Sequence, residues 1–134
     1  MRMPRIFAAA LCAVAGCSSG DPKQSFDAAL SAAAAAHMLV QARVNGHTTR
    51  DYTERTLQSE RQEAHTLASE LDYDRIPPAQ RVDVLDVMSR LEKVLDQAAS
   101  DASARDSRLL ARHAASLDSL EHALDALSTE MSQR

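Results

Sequence analysis

The segment ASDASARDS, residues 99–107, decides the fold, because it either reverses the chain or carries one long helix onward. It contains no large apolar side chain that could hold it in a hydrophobic core. Ser103, followed by Asp106 three residues later, also fits the first turn of a new helix, where the Ser103 hydroxyl can accept a bond from a free backbone N–H group. This composition favours a turn near residues 100–103.

Apolar residues form one stripe before this segment and another stripe after it. The first comprises Val84, Met88, Leu91, Leu95 and Ala98, and the second comprises Leu110, His113, Leu117, Leu120, Leu124, Leu127 and Met131. The two stripes do not share a heptad frame, since stepping from Val84 by sevens arrives at Arg105, Arg112 and Ser119. Such a phase slip indicates either a turn between two helices or a stutter within one helix. We expect the turn.

The alternative is a single helix over residues 79–132, which would be about 80 Å long. Two shorter helices would then remain to pack against it, so its C-terminal half would expose the second stripe. A second copy of the chain would have to bury that stripe. The alternative fold is therefore a three-helix chain that dimerises through a long C-terminal helix.

Helix breakers divide the remainder of the chain. Beyond residue 23 the chain holds one glycine, Gly46, and two adjacent prolines at residues 77–78. Asn-Gly at residues 45–46 predicts the C-cap of a first helix over about residues 23–45. A second helix is expected over about residues 48–73, with Thr48 as its N-cap. The proline pair ends that region and suits the start of a third helix.

The predicted fold is an all-α, antiparallel, up-down-up-down four-helix bundle over residues 24–134. The stripe of the first helix steps by four and three residues through Phe26, Leu30, Ala33, His37, Val40 and Val44. Within it, the alanine run at residues 32–36 has two interpretations. The run is either a seam of small side chains that lets another helix approach closely, or a stretch of high helix propensity in which Ala33 alone faces the core. We favour the second interpretation.

The N-terminal residues combine a basic start with a short apolar run. Arg2 and Arg5 precede an unbroken apolar run over residues 6–14, which is too short to span a bilayer. Val14-Ala15-Gly16-Cys17 then closes the run with small residues and a cysteine. The leader resembles the type II signal peptide of bacterial lipoproteins, with these four residues as its lipobox. The resemblance implies removal of residues 1–16 and acylation of Cys17. The small and polar residues that follow, at 18–22, predict a flexible tether over residues 17–23.

Location follows from the same resemblance. Two or more acyl chains make membrane attachment stable, which places the protein in the cell envelope as a lipid-anchored protein. Under the sorting pattern of enterobacterial lipoproteins, Ser18 after the cysteine implies the periplasmic face of the outer membrane, where the organism has one. The alternative is an ordinary secretory leader that is cut elsewhere and leaves Cys17 as a thiol.

The charge pattern argues against nucleic acid as a partner. Two of the 15 Lys and Arg residues leave with the leader, whereas all 19 Asp and Glu residues stay, so the mature chain has a formal net charge of −6. The signs are mixed along the chain, without a basic stripe that aromatic residues interrupt. The excess of acidic residues also disfavours lying flat on an anionic lipid surface.

The histidines are the best candidates for metal or haem ligands in this sequence. His37 and His113 lie on the apolar stripes of the first and fourth helices, where they would face one core layer within reach of Glu60 or Glu92. Helix bundles hold metal ions or haem between facing helices through such residues. His37 and His113 are therefore the candidate metal ligands. The other three, His47, His65 and His122, are expected to lie in solvent.

Stronger signatures of a site are missing from the sequence. It contains no Glu-x-x-His, no Cys-x-x-Cys-His and no phosphate-binding loop. We therefore expect no resident cofactor and no enzymatic activity. The predicted role is a lipid-anchored envelope module that binds another envelope protein or itself, or supports envelope structure. The alternative is an envelope-tethered metal or haem binder that uses His37 and His113.

Overall fold

The computed structural model describes residues 21–103 and 107–133, and this part of the chain is helical with short links. It forms α1 (Pro22–Val44), α2 (Arg50–Glu70), α3 (Pro78–Asp101) and α4 (Ser107–Ser132), with a 3₁₀ turn at Tyr73–Arg75 before α3. The predicted all-α four-helix bundle is confirmed.

The link between α3 and α4 settles the choice between the two predicted folds. α3 ends at Asp101 and α4 begins at Ser107, so the chain reverses between them. A single helix over residues 79–132 is therefore excluded. The link lies slightly later than the expected 100–103. Asp106, the partner of Ser103 in the expected cap, lies outside the described residues, and the Ser103 hydroxyl instead donates to the Ser100 carbonyl at 3.4 Å.

Contacts between helices show the antiparallel order. Near the start of α1 and the end of α4, the Ser128 hydroxyl donates to Asp27 at 2.6 Å. Arg61 of α2 lies 3.8 Å from Asp96 of α3, whereas His65, one turn later on α2, lies 3.3 Å from Glu92, one turn earlier on α3. α1 packs most extensively against α4, and α2 against α3. The N-termini of α1 and α3 and the C-termini of α2 and α4 therefore share one end of the bundle.

The core matches the predicted stripes well in α3 and α4 and less well in α1. The buried large side chains include Phe26, Val40, Leu57, Val84, Leu91, Leu95, Leu117 and Leu124. In α1, however, Leu30, His37 and Val44 are half-buried. Small residues fill much of the core side of α1: Ala29, Ala32, Ala33 and Ala36 are all buried, and only Ala33 among them belongs to the predicted stripe.

The alanine run is thus a packing seam, and the expectation that Ala33 alone would face inward is wrong. Several small side chains face the other helices in adjacent turns of α1, and the helix with which α1 packs most extensively is α4. Alanine leaves the backbones room to approach, so the larger side chains of α1 are displaced to the edges of the interface.

Local signals fix the helix ends. Gly46 has a φ of 74°, and the His47 N–H donates to the Ala42 carbonyl at 2.8 Å, which completes a Schellman-type C-cap of α1. The N-cap of α2 is Thr49 rather than Thr48, because Thr49 Oγ1 accepts from the Tyr52 N–H. α1 is capped by Asp21 and begins at Pro22, inside the expected tether of residues 17–23.

Candidate functional site

The candidate lipidation residue, Cys17, and the remainder of the lipobox lie outside the described residues. Acylation there stays a prediction from the sequence. Among the described helices, none is long and apolar enough to cross a membrane.

Three histidines each face a carboxylate on another helix or across the α3–α4 link. The pairs are His37 with Glu121, His65 with Glu92, and His113 with Asp101. The other two histidines differ: His47 is exposed in the loop after α1, whereas His122 pairs with Asp118 of its own helix. Of the three expected in solvent, His65 is well exposed, with 61% of its side chain accessible, although it still contacts Glu92.

His37 projects from α1 toward α4 at the edge of the alanine seam. Its Nδ1 lies 3.0 Å from Oε1 of Glu121, and each side chain is 22% exposed. Its Nε2 lies 3.4 Å from Nε2 of Gln41, one turn further along α1. These contacts fit a neutral ring that donates from Nδ1 to Glu121 and accepts from Gln41 at Nε2.

Asp118 completes a cluster around this pair. It precedes Glu121 by three residues on α4, so the two carboxylates lie on the same face of the helix. One ligand atom each from His37, Asp118 and Glu121 can be chosen such that all three lie within 4.8 Å of one another. This is the single group of three or more potential metal ligands within residues 21–103 and 107–133.

A groove opens beside the cluster, between the outer edges of α1 and α4. It has a volume of about 400 Å³, and His37 and Asp118 both line it. The other lining residues are Gln41, Val44, Ala111, Ala114 and Ala115. The small alanine side chains on α4 leave room next to the polar groups for water or a small ligand.

His113 belongs to a different place in the bundle. Its Nε2 lies 2.6 Å from Oδ2 of Asp101, next to the α3–α4 link, and its side chain is 12% exposed. His113 precedes Glu121 by eight residues on α4, a distance of about 12 Å along the helix axis. The structure therefore does not bring His37 and His113 into one ligand cluster.

The expected carboxylate partners, Glu60 and Glu92, also lie elsewhere. Glu92 faces His65 rather than His37 or His113. Glu60 lies on α2, where burial and the neighbouring Glu63 carboxylate raise its pKa. Neither carboxylate belongs to the His37 cluster.

His122 flanks the cluster on its exposed side. Its Nδ1 donates to the Asp118 carbonyl at 2.7 Å, and this bond, together with nearby carboxylates, raises the pKa of His122. The side chain is 78% exposed. His122 is therefore a solvated neighbour of Asp118, as expected from its position beside the stripe.

Sequence reasoning found His37 but missed Asp118 and Glu121. Both are acidic residues next to the apolar stripe of α4, a position that solvated residues occupy on most amphipathic helices. The sequence signal that could have found them is their spacing of three residues, which places both carboxylates on one face of a helix. No family model, curated protein sequence or solved structure matches the chain.

Proposed function

We propose that this protein is a lipid-anchored helical bundle of the cell envelope that acts as a protein-interaction module. The anchor is a lipid on Cys17, and the favoured location is the periplasmic face of an outer membrane. The resemblance of Val14-Ala15-Gly16-Cys17 to a lipobox, placed directly after a short apolar run, supports the anchor.

The start of α1 limits how far the bundle can stand from the lipid. Asp21 caps the helix, only four residues after Cys17. Four residues of fully extended chain span at most about 14 Å. An acyl group on Cys17 would therefore hold the α1 N-terminus, and with it the α3 N-terminus, close to the membrane.

Two exposed apolar side chains near this end carry the interaction part of the proposal. Val82 is 73% exposed and Leu85 is 52% exposed, and they lie three residues apart on one face of α3. Single apolar residues on a surface are ordinary, whereas adjacent ones form a contact that a partner can cover. The Asp86–Arg90 pair follows on the same helix and supplies polar groups at the edge of this contact.

The partner that we propose is another envelope protein, which covers Val82 and Leu85 in the space next to the membrane. Both acidic and basic side chains flank Val82 and Leu85. An anionic lipid surface would repel the acidic ones, so a protein surface is the better partner for this face. A contact centred on two apolar side chains is small, and small interfaces are typical of transient complexes rather than of obligate ones.

The anchor is tested with Cys17→Ser in the full chain. We expect the variant to lack the mass of the acyl groups and to leave the membrane fraction when cells are fractionated. A variant that keeps both its lipid mass and its membrane association would refute the anchor. Cys12→Ser is the matched control, and it should behave as the unchanged protein does.

The docking face is tested with a photo-crosslinking residue in place of Leu85, in the full chain and in intact cells. We expect one discrete protein adduct, which Val82→Asp abolishes and which a crosslinker at the exposed Asp125 of α4 does not form. An adduct of twice the chain mass would identify a second copy as the partner. Lipid adducts, or the same adducts from both positions, would contradict the proposed face.

A further inference from the structure

We propose that His37, Asp118 and Glu121 bind a divalent transition-metal ion of the Zn²⁺ type at the seam between α1 and α4. This site is independent of the docking face on α3. It also differs from the His37–His113 pair that the sequence suggested, because two of its three ligands are carboxylates on α4.

The donor set suits such an ion. Zn²⁺ accepts imidazole nitrogen and carboxylate oxygen at about 2.0–2.2 Å, in tetrahedral geometry. Two ligand atoms on one tetrahedral ion are therefore separated by about 3.3 Å. The His37–Glu121 distance of 3.0 Å is already close to this value, and the three ligand atoms lie within 4.8 Å of one another. Small side-chain rotations bring all three to bonding distance.

The charges of the cluster favour a cation. Asp118 and Glu121 lie one helical turn apart with like charges, an arrangement that destabilises a helix slightly. A divalent ion between the two carboxylates removes this repulsion. His37 and Glu121 are each only 22% exposed, so solvent screens the charge of Glu121 incompletely.

Rigid helices hold the ligands in place. His37 lies between Ala36 and Val40 along α1, and both of these residues are fully buried. Asp118 and Glu121 follow the buried residues Leu117 and Leu120 on α4. Each ligand is thus attached next to a residue that the core fixes, which limits the reorganisation that metal binding requires.

Gln41 provides the outer contact that orients the imidazole. Metal binding at Nδ1 of His37 moves the ring proton to Nε2. The Gln41 amide is 3.4 Å from Nε2, and it can rotate to present its oxygen as the acceptor of that proton. An acceptor on the second ring nitrogen is the usual companion of a metal-bound histidine.

The groove next to the cluster leaves the fourth position of the ion open. His37 and Asp118 line this space of about 400 Å³, so water or a small donor molecule has access to the ion. Three protein ligands with one open position are typical of accessible sites rather than of closed structural ones. The bound ion is therefore exchangeable, and removing it leaves the bundle folded.

The other histidine–carboxylate pairs provide an internal control. His65 and Glu92 also approach across two helices, at 3.3 Å, but they belong to no group of three ligands in the part of the chain that the structure describes. Two ligands bind such an ion much more weakly than three. His65→Ala is thus a matched control for His37→Ala.

The experiment is calorimetric titration of the full, untagged chain in detergent with ZnCl₂, after chelator treatment and dialysis. We expect one Zn²⁺ per chain, with at least a tenfold loss of affinity in His37→Ala and in Asp118→Asn, since even outer-contact partners contribute 10- to 100-fold. His65→Ala should bind as the unchanged chain does. Millimolar Mg²⁺ should not compete, because it prefers ligand sets made of oxygen alone.

Circular dichroism of the same samples shows whether each variant is folded. The Asp118 side chain is 53% exposed, so Asp118→Asn should keep the fold even if His37→Ala weakens it. Absence of Zn²⁺ binding by the folded, unchanged chain would overturn the proposal. Undiminished binding by folded Asp118→Asn, or an equal loss in His65→Ala, would overturn it as well.

Discussion

Nε2 of His113 lies 2.6 Å from Oδ2 of Asp101, although twelve residues separate them in the chain. In one continuous helix the same residues would be about 18 Å apart along the axis. The contact exists because the chain reverses between α3 and α4. It places a charge-assisted hydrogen bond next to the link that determines the topology of the bundle.

The reversal predicts a short distance between Arg90 of α3 and Ser119 of α4. Both residues line the same groove between these helices, so spin labels on Arg90→Cys and Ser119→Cys should report neighbouring helices, with axes about 10 Å apart. One continuous helix would separate the two positions by about 44 Å. Pulsed electron paramagnetic resonance distinguishes these distances, and the longer value would contradict the four-helix bundle.

The sequence predicted the inward faces of α3 and α4 because large apolar residues mark them. Leu91, Leu95, Leu117 and Leu124 are each fully buried, as expected. α1 was predicted less well, since its many alanines carry little apolar surface and leave the rotation of the helix undetermined. Ala29 and Ala36 are core residues of α1, and which alanines the core buries depends on tertiary contacts.

The candidate metal cluster was predictable only in part, for a similar reason. His37 drew attention because it interrupts an apolar stripe. Asp118 and Glu121 look like any solvated acidic pair until α1 is placed beside α4. The offset between the two helices decides which carboxylate faces His37, and no pattern within either helix encodes that offset.

Leu117→Asp should unfold the bundle. Leu117 is fully buried in the core, and an unpaired carboxylate there costs at least about 3 kcal/mol of unfolding free energy. The fold has no core disulfide to compensate, since Cys12 and Cys17 are the only cysteines and both precede α1. Urea unfolding followed by circular dichroism measures the loss.

Ser119→Asp is the matched control for that substitution. Ser119 is exposed two residues away on the same helix, so the same side chain should change the unfolding free energy by less than about 0.5 kcal/mol. Equal losses at residues 117 and 119 would mean that the described face of α4 is not the one that packs in solution.

The Asp27 carboxylate should make stability depend on acid pH. Its hydrogen bonds with Lys23 and with Ser128 lower the pKa of Asp27 below its ordinary value of 3.8. A lowered pKa contributes stability above pH 3.8, and the contribution is lost as pH falls through the folded-state pKa. Asp27→Asn should therefore lower the unfolding free energy at pH 7, and the difference from the unchanged chain should shrink toward pH 2.

The effect of Asp27→Asn should stay below about 1 kcal/mol, because the Asp27 side chain is 49% exposed and solvent screens its charge. Asp86→Asn is the control, since Asp86 pairs with Arg90 on one exposed helix face. Its change should be smaller than that of Asp27→Asn at pH 7. An Asp27→Asn difference that grows on acidification would show that the carboxylate does not stabilise the contact between α1 and α4.

Gly46→Ala should destabilise the bundle by about 1 kcal/mol through the backbone alone. Gly46 adopts a φ of 74°, which disfavours any residue with a Cβ. Apart from Gly46 and its two chain neighbours, no heavy atom of the described residues lies within 4 Å of the position where that Cβ would stand, so a clash with the rest of the bundle does not contribute. Gly46→Asn should cost less, because asparagine tolerates left-handed backbone. Thermal unfolding of both variants measures the difference, and equal stability of Gly46→Ala and the unchanged chain would exclude the left-handed C-cap of α1.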